Sequence, residues 1–196
     1  MAVLPIWRLS RNRHARKLWD RLTEYGIRVA RLRLYRRDGT AGAVPDLGPA
    51  IALDVRRGSE LDTDEIELPI VPDDRIVRAR TVENVVGSVV LSVDRGVRVG
   101  PIDATLAFDH GYLWGLFVDP EHRQQGIGSA LLTQALRAAS GETDICLALV
   151  ASDNRPSQWL FERQGFEVEE TITHVSWPGF RWTSDLTAVS GVRKIE

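Results

Sequence analysis

The period of hydrophobic and polar positions changes several times along this chain, and each change marks an element. Residues 4–9 read as a short strand. Over 11–25, Ala15, Leu18, Leu22 and Tyr25 recur at helical spacing, and Gly26 supplies the stop. Over 27–37 the period becomes two, with Arg31 and Arg33 alternating with Leu32 and Leu34, as on a half-buried strand with a solvated face. The Gly- and Pro-bearing stretch 40–49 predicts a linker. Residues 51–55 fit a strand, while the acidic stretch 59–67, followed by Pro69 and Pro72, supports no assignment.

From residue 77 the pattern predicts a three-stranded antiparallel meander. A β-branched run over 82–93 ends at Asp94-Arg95-Gly96. Ile102, Ala104, Leu106 and Phe108 then alternate with polar or small residues, and His110-Gly111 turns the chain into a strand over 112–118. Over 127–139, Leu131, Leu132, Ala135, Leu136 and Ala139 form the stripe of a helix lying on a sheet, ended by Gly141. The continuous apolar run 145–151 suits a strand covered on both faces, which makes 112–151 a right-handed βαβ unit. Pro156 opens a short helix over 156–164. Gly165 fits its left-handed cap, Phe166 the apolar contact behind that cap, and 167–176 a further strand.

These elements define an α/β fold on a mixed sheet, and 196 residues suit one domain, 1–196. The single cysteine, Cys146, excludes an intramolecular disulfide and any cluster of several thiolates, and reads as a core residue. No spacing among His14, His110, His122, His174 and Cys146 suggests a metal. The longest apolar run falls far short of the ~20 residues of a membrane span, so a cytoplasmic protein without a membrane partner is expected. Charge is split along the chain. Residues 1–40 hold eleven basic against three acidic side chains, +8, and because the whole chain carries −2 the remainder carries −10. Residues 1–49 therefore form a basic N-terminal portion. Its guanidinium groups follow codon bias or suit planar anions. The leucine alternation at 31–34 favours a solvated strand face over a nucleic-acid surface.

Chemistry concentrates between the strand ending at Val118 and the helix at 127. The first turn of a helix leaves its N–H groups unpaired, and its dipole favours negative charge. Gly126 and Gly128 lack Cβ atoms, so an anion can lie against the backbone, and Arg123 adds charged donors at the rim. A strand, a short connection running into Arg123-Gln124-Gln125-Gly126-Ile127-Gly128, a helix, an apolar strand, Asn154, and then Leu160-Phe161-Glu162-Arg163-Gln164-Gly165-Phe166 form a specific combination. It resembles the GNAT superfamily of N-acetyltransferases, clearly over 77–176.

The resemblance implies a sheet splayed between strands 112–118 and 145–151, with acetyl-CoA wedged in the opening. Backbone groups of Leu116, Phe117 and Val118 would pair with the pantetheine. The N–H groups of Gln124, Gln125, Gly126, Ile127, Gly128 and Ser129, with Arg123, would hold the pyrophosphate. Asn154 matches the position that contacts the cofactor arm, and its type and place suit a helix N-cap equally. The activity implied is transfer of acetyl from acetyl-CoA to an amine of a small molecule or a protein. By spacing, Tyr112 takes the place of the family's strand glutamate and Phe161 that of its helix tyrosine.

Phe161 has no proton to give, which leaves water or Ser157 to protonate the thiolate. Tyr112, with a pKa of about 10, suits positioning better than base work. His110 is better matched as a base, although its predicted turn also suits a solvated histidine, and Asp109 shares that ambiguity. His122 is expected to be exposed. Trp114 and Trp159 read as packing residues, with Trp114 also placed to wall an acceptor pocket. The aromatic cluster 177–182 fits a substrate lip or a contact in a homodimer. A catalytically silent acyl-CoA-binding module is the alternative reading. A dinucleotide-binding oxidoreductase is disfavoured by Leu131, which stands where its fingerprint wants a third small residue.

Overall fold

The computed structural model describes residues 28–39, 41–61, 68–184 and 191–195. The strand expected over 4–9 and the helix over 11–25 lie outside these residues. The strands are β1 Arg28–Asp38, β2 Ala52–Arg57, β3 Arg75–Arg80, β4 Val85–Val99, β5 Ala104–Val118, β6 Ile145–Ala151, β7 Glu167–Trp177, β8 Phe180–Thr183 and β9 Val192–Ile195. The helices are α1 Ile127–Ala139, between β5 and β6, and α2 Arg155–Arg163, between β6 and β7. The sheet order is β2-β3-β4-β5-β6-β1-β7-β8, with β9 added to β5. This is the open mixed sheet that the sequence pattern predicts. β5 and β6 pair in parallel, as the crossover through α1 requires. β1 enters between β6 and β7, antiparallel to both.

The predicted meander is one long hairpin instead. β4 runs straight through Asp94-Arg95-Gly96, where Asp94 is left-handed (φ 48°) and the register shifts by one residue, Asp109 and His110 of β5 standing opposite it as a bulge. The chain reverses at a 3-10 turn, Gly100–Ile102, closed by left-handed Asp103. His110-Gly111 does not turn. A Cβ on Gly111 would lie 3.0 Å from Cys146 Sγ, so this glycine permits close approach inside the sheet.

Two cores flank the sheet. On one face lie α1 and α2, and all five residues of the predicted α1 stripe are buried there, with Leu91, Leu113, Ala148, Phe161 and Phe166 among their neighbours. On the other, the outer half of the β4–β5 hairpin brings Val97, Val99, Ile102, Leu106 and Phe108 against Leu32, Leu34, Leu147 and Ile172. The hairpin tip reaches β8, where Asp103 Oδ2 is 3.2 Å from Arg181 Nη1. Residues 41–49 form no regular element, as expected of a linker, yet Ala41 and Leu47 pack on the helix-side core. Gly165 (φ 80°) caps α2, and Phe166 meets Phe161 edge-on at 5.0 Å.

Cys146 is buried in β6, and burial pushes its thiol up to about 11. Because the thiolate is the reactive form, Cys146 should resist alkylation at neutral pH in the folded chain and react quickly in denaturant. Mass spectrometry after a timed iodoacetamide pulse checks this. No helix among the described residues is long and apolar enough to cross a membrane.

Candidate active site

The β5–β6 ladder is only three residue pairs long: Gly111 with Cys146, Tyr112 with Leu147, and Leu113 with Ala148. Beyond these pairs the two strands separate. β5 stays with β4, Trp114 opposite Val90 and Phe117 opposite Ser88, while β6 follows β1 as far as Ala151 opposite Leu32. Gly115 makes the divergence possible. It takes a left-handed conformation (φ 63°) where the β4–β5 register shifts, and a Cβ there would sit 2.8 Å from Leu68 Cδ1. The edges of 114–118 and 149–151 therefore leave hydrogen-bonding groups unpaired among the described residues across an opening, a donor–acceptor row suited to an extended amide chain. Leu116 and Val118 are half-buried on the helix side, and Phe117 is exposed.

The loop at the head of the opening is built around α1. Asp119 Oδ1 accepts from Glu121 N at 2.8 Å and closes a 3-10 turn, Pro120–His122. Arg123 Nε donates to Val118 O at 3.0 Å, so this guanidinium fastens the loop to the end of β5 while its terminal nitrogens stay at the rim. Gln124 (φ 62°) and Gly126 (φ 83°) are both left-handed. The first helical bond is Ala130 N to Gly126 O, at 3.0 Å. Among the described residues no acceptor takes the N–H groups of Gln124, Gln125, Gly126, Ile127, Gly128 or Ser129. Six successive free donors at a helix N-terminus form a cradle for a diphosphate. A Cβ on Gly126 would find space, 3.7 Å from Leu47, so it is the backbone twist that calls for glycine here. One on Gly128 would meet Leu160 Cδ2 at 2.8 Å, where α2 crosses close to α1. His122, expected to be exposed, is half-buried, with Nδ1 3.7 Å from Asp119 Oδ1.

Asn154 is the N-cap of α2, its Oδ1 accepting from Ser157 N at 3.3 Å. Asn154→Ala should cost about 1 kcal/mol in thermal unfolding, and Asn154→Ser should keep most of that stability. Phe161 is a core residue, 3% exposed, stacked on Tyr35 and edge-on to Phe166. Trp159, expected to pack, is 62% exposed. It falls on the outer side of α2, because Gln158 and Phe161 are the buried residues and Leu160 turns to α1.

The two proton-transfer candidates are placed differently from each other. His110 lies against Gly191, just before β9, and roughly 13 Å along β5 from Trp114, where the opening begins. Asp109 pairs with Arg193 at 2.6 Å. Tyr112 is in the closed segment, one residue before its last pair, on the face opposite the helices. Its ring stacks on Phe108 at 3.8 Å. Burial raises its pKa well above the ordinary phenol range, so it stays protonated, and its hydroxyl bonds to no described residue.

A buried network beside the opening escaped the sequence reading. Trp114 Nε1 donates to Ser92 Oγ at 2.8 Å, Ser92 to Asp74 Oδ1 at 2.6 Å, and Arg95 grips Asp74 with two bonds of 2.8 and 2.7 Å. The only local signal was an aspartate after Pro72 and an arginine inside a strand pattern, which do not announce each other. Among the described residues no group of three His, Cys, Asp or Glu is placed to hold a metal ion.

The sequence model of the acetyltransferase (GNAT) family matches residues 51–166, more than half of the chain. No curated protein sequence matches it. Among solved structures, the fold is similar to a GCN5-related N-acetyltransferase from Kribbella flavida, with 19% identity, a TM-score of 0.54 and coverage of 83% of this chain and 64% of that one. A tandem GNAT protein from the clavulanic acid biosynthesis pathway gives 15% identity and a TM-score of 0.56, over 83% of this chain and 59% of that one. A GCN5-related N-acetyltransferase from Sphaerobacter thermophilus gives 15% and 0.52, over 85% and 58%. The chain thus spans less than two thirds of the length of each.

Proposed function

The chain belongs to the GNAT acetyltransferase family, and from that premise we propose that it transfers the acetyl group of acetyl-CoA directly to an amine of a small-molecule or protein acceptor. One observation carries the reading. The opening between β5 and β6 leads straight from a strand edge to six N–H groups at the start of α1, neither of them paired among the described residues. The cradle suits a pyrophosphate, and the edges of Leu116, Phe117 and Val118 suit a pantetheine arm. The thioester would then come to rest near the vertex at Leu113 and Ala148.

Direct transfer needs a neutral amine, a donor for the oxyanion and a proton for the departing thiolate. α1 and α2 occupy one face of the sheet, so the amine approaches from the other, which carries Tyr112 and Trp114. A protonated phenol with no partner among the described residues is a hydrogen-bond donor, and Tyr112 takes that role, toward the thioester oxygen or the leaving sulfur. Tyr112→Phe should lower kcat by roughly tenfold or more with KM for acetyl-CoA little changed. An unchanged kcat would remove Tyr112 from the chemistry.

The whole reading is tested by acetyl-CoA titration followed by CoA release with a panel of amines. Saturable binding with turnover is expected, and no binding of acetyl-CoA would overturn the proposal. The core position of Phe161, which has no proton to give, supports the second reading, a silent acyl-CoA-binding module. Binding without turnover on any amine would select it.

A further inference from the structure

A second concavity lies away from the opening, between the tip of the β4–β5 hairpin and the β7–β8 hairpin. It is a cavity of about 270 Å³, lined among others by Arg28, Pro101, Asp103, His174, Trp177 and Arg181. Its size, just below the ~300–1,000 Å³ typical of sites for larger organic ligands, suits a small molecule.

Its polar lining side chains are two guanidinium groups, Arg28 and Arg181, with His174, Ser176 and the carboxylate of Asp103. His174 is 3% exposed and forms part of the lining, with Nδ1 2.8 Å from Thr183 Oγ1. The threonine hydroxyl can donate to Nδ1, which leaves the ring proton on Nε2, and no described residue bonds to Nε2. Burial lowers the imidazole pKa, keeping the ring neutral with a single N–H at physiological pH. Arg28 is exposed and forms no ion pair with a described residue. Arg181 shares Asp103 with Arg98, so one carboxylate serves two guanidinium groups. Among the described residues that line the cavity, two arginines stand against one aspartate, a net positive charge beside the imidazole. Pro101 and Trp177 supply apolar walls.

We propose that this cavity is an oxyanion site, taking a small carboxylate or phosphate-bearing molecule through His174 Nε2–H, Arg28 and Arg181. Two-pronged guanidinium contacts and an imidazole N–H recognise the planar or tetrahedral oxygens that these ligands share. The site is separate from the loop at 124–129 and does not depend on acyl transfer.

The test follows the imidazole resonances of His174 in the full chain during titration with inorganic phosphate and, separately, acetate, with sodium chloride holding ionic strength constant. The readout is local, so binding of phosphate at the α1 cradle does not register. A saturable shift of His174 with one or both probes is expected, and the probe that binds more tightly identifies the oxyanion class. Arg28→Ala breaks no ion pair among the described residues and should weaken that binding roughly tenfold while leaving Tm unchanged. A His174 signal that moves no more with either probe than with chloride would overturn the site, as would a titration unaltered by Arg28→Ala.

Discussion

Asp74→Ala is expected to cost about 3 kcal/mol of stability, read as a fall in Tm of roughly 6–12 °C at ~2–4 °C per kcal/mol. Asp74 is 1% exposed and accepts four hydrogen bonds: from Val71 N at 2.9 Å, from Ser92 Oγ and from two nitrogens of Arg95. Alanine leaves the guanidinium without its counter-charge and the serine hydroxyl without its acceptor. The Arg95 side chain keeps 21% exposure, and this partial contact with water places the cost at the lower end of the range for a broken buried pair. Asp74→Ala/Arg95→Met removes both charges and should recover part of the loss, since no charge then remains stranded. Trp114 hangs on the same chain of bonds and carries an Arg95 guanidinium 5.9 Å from its ring. Its fluorescence should therefore shift in the single variant at temperatures where the protein is still folded. A loss below about 1 kcal/mol would show that the network contributes little beyond surface pairing.

What could be read from the sequence was local. The α1 stripe, the Gly165–Phe166 cap, the alternation of β1 and the donor-rich loop before α1 each lie within about fifteen residues, so period and turn chemistry suffice. Pairing over distance could not be read. Tyr35 reaches Glu162 across 127 positions, and nothing in residues 28–38 shows that this strand lies between β6 and β7. Asp94-Arg95-Gly96 misled because an aspartate two residues before a glycine has the chemistry of a turn, whereas the surrounding pairs keep Asp94 in the ladder opposite a bulge at Asp109 and His110. The basic block also changed meaning. Arg31 is exposed, as a solvated strand face implies, but Arg36 pairs with Asp38 and Glu169, so some of that charge is neutralised on the sheet's surface. The opening itself was legible only through family resemblance, because it consists of hydrogen bonds that stop after Leu113 and Ala148.

Gly126→Val is expected to weaken acetyl-CoA binding by roughly a hundredfold, about 2.7 kcal/mol. Gly126 sits at φ 83°, and a β-branched residue there pays ~1–2 kcal/mol of backbone strain or leaves the left-handed region. If it leaves, the N–H groups of Gly126 and its neighbours no longer converge, and the cradle loses the geometry on which diphosphate affinity depends. The strain term also appears in unfolding, so the two effects can be separated: stability should fall by ~1–2 kcal/mol while binding falls by more. Gly128→Ala is the contrasting case. Its backbone is helical, and the atom a Cβ would meet is the mobile tip of Leu160, so stability should change little. Equal losses of affinity and stability in Gly126→Val would mean that only global folding had been disturbed. An affinity close to that of the parent chain would show that the α1 N-terminus is not where the anion binds.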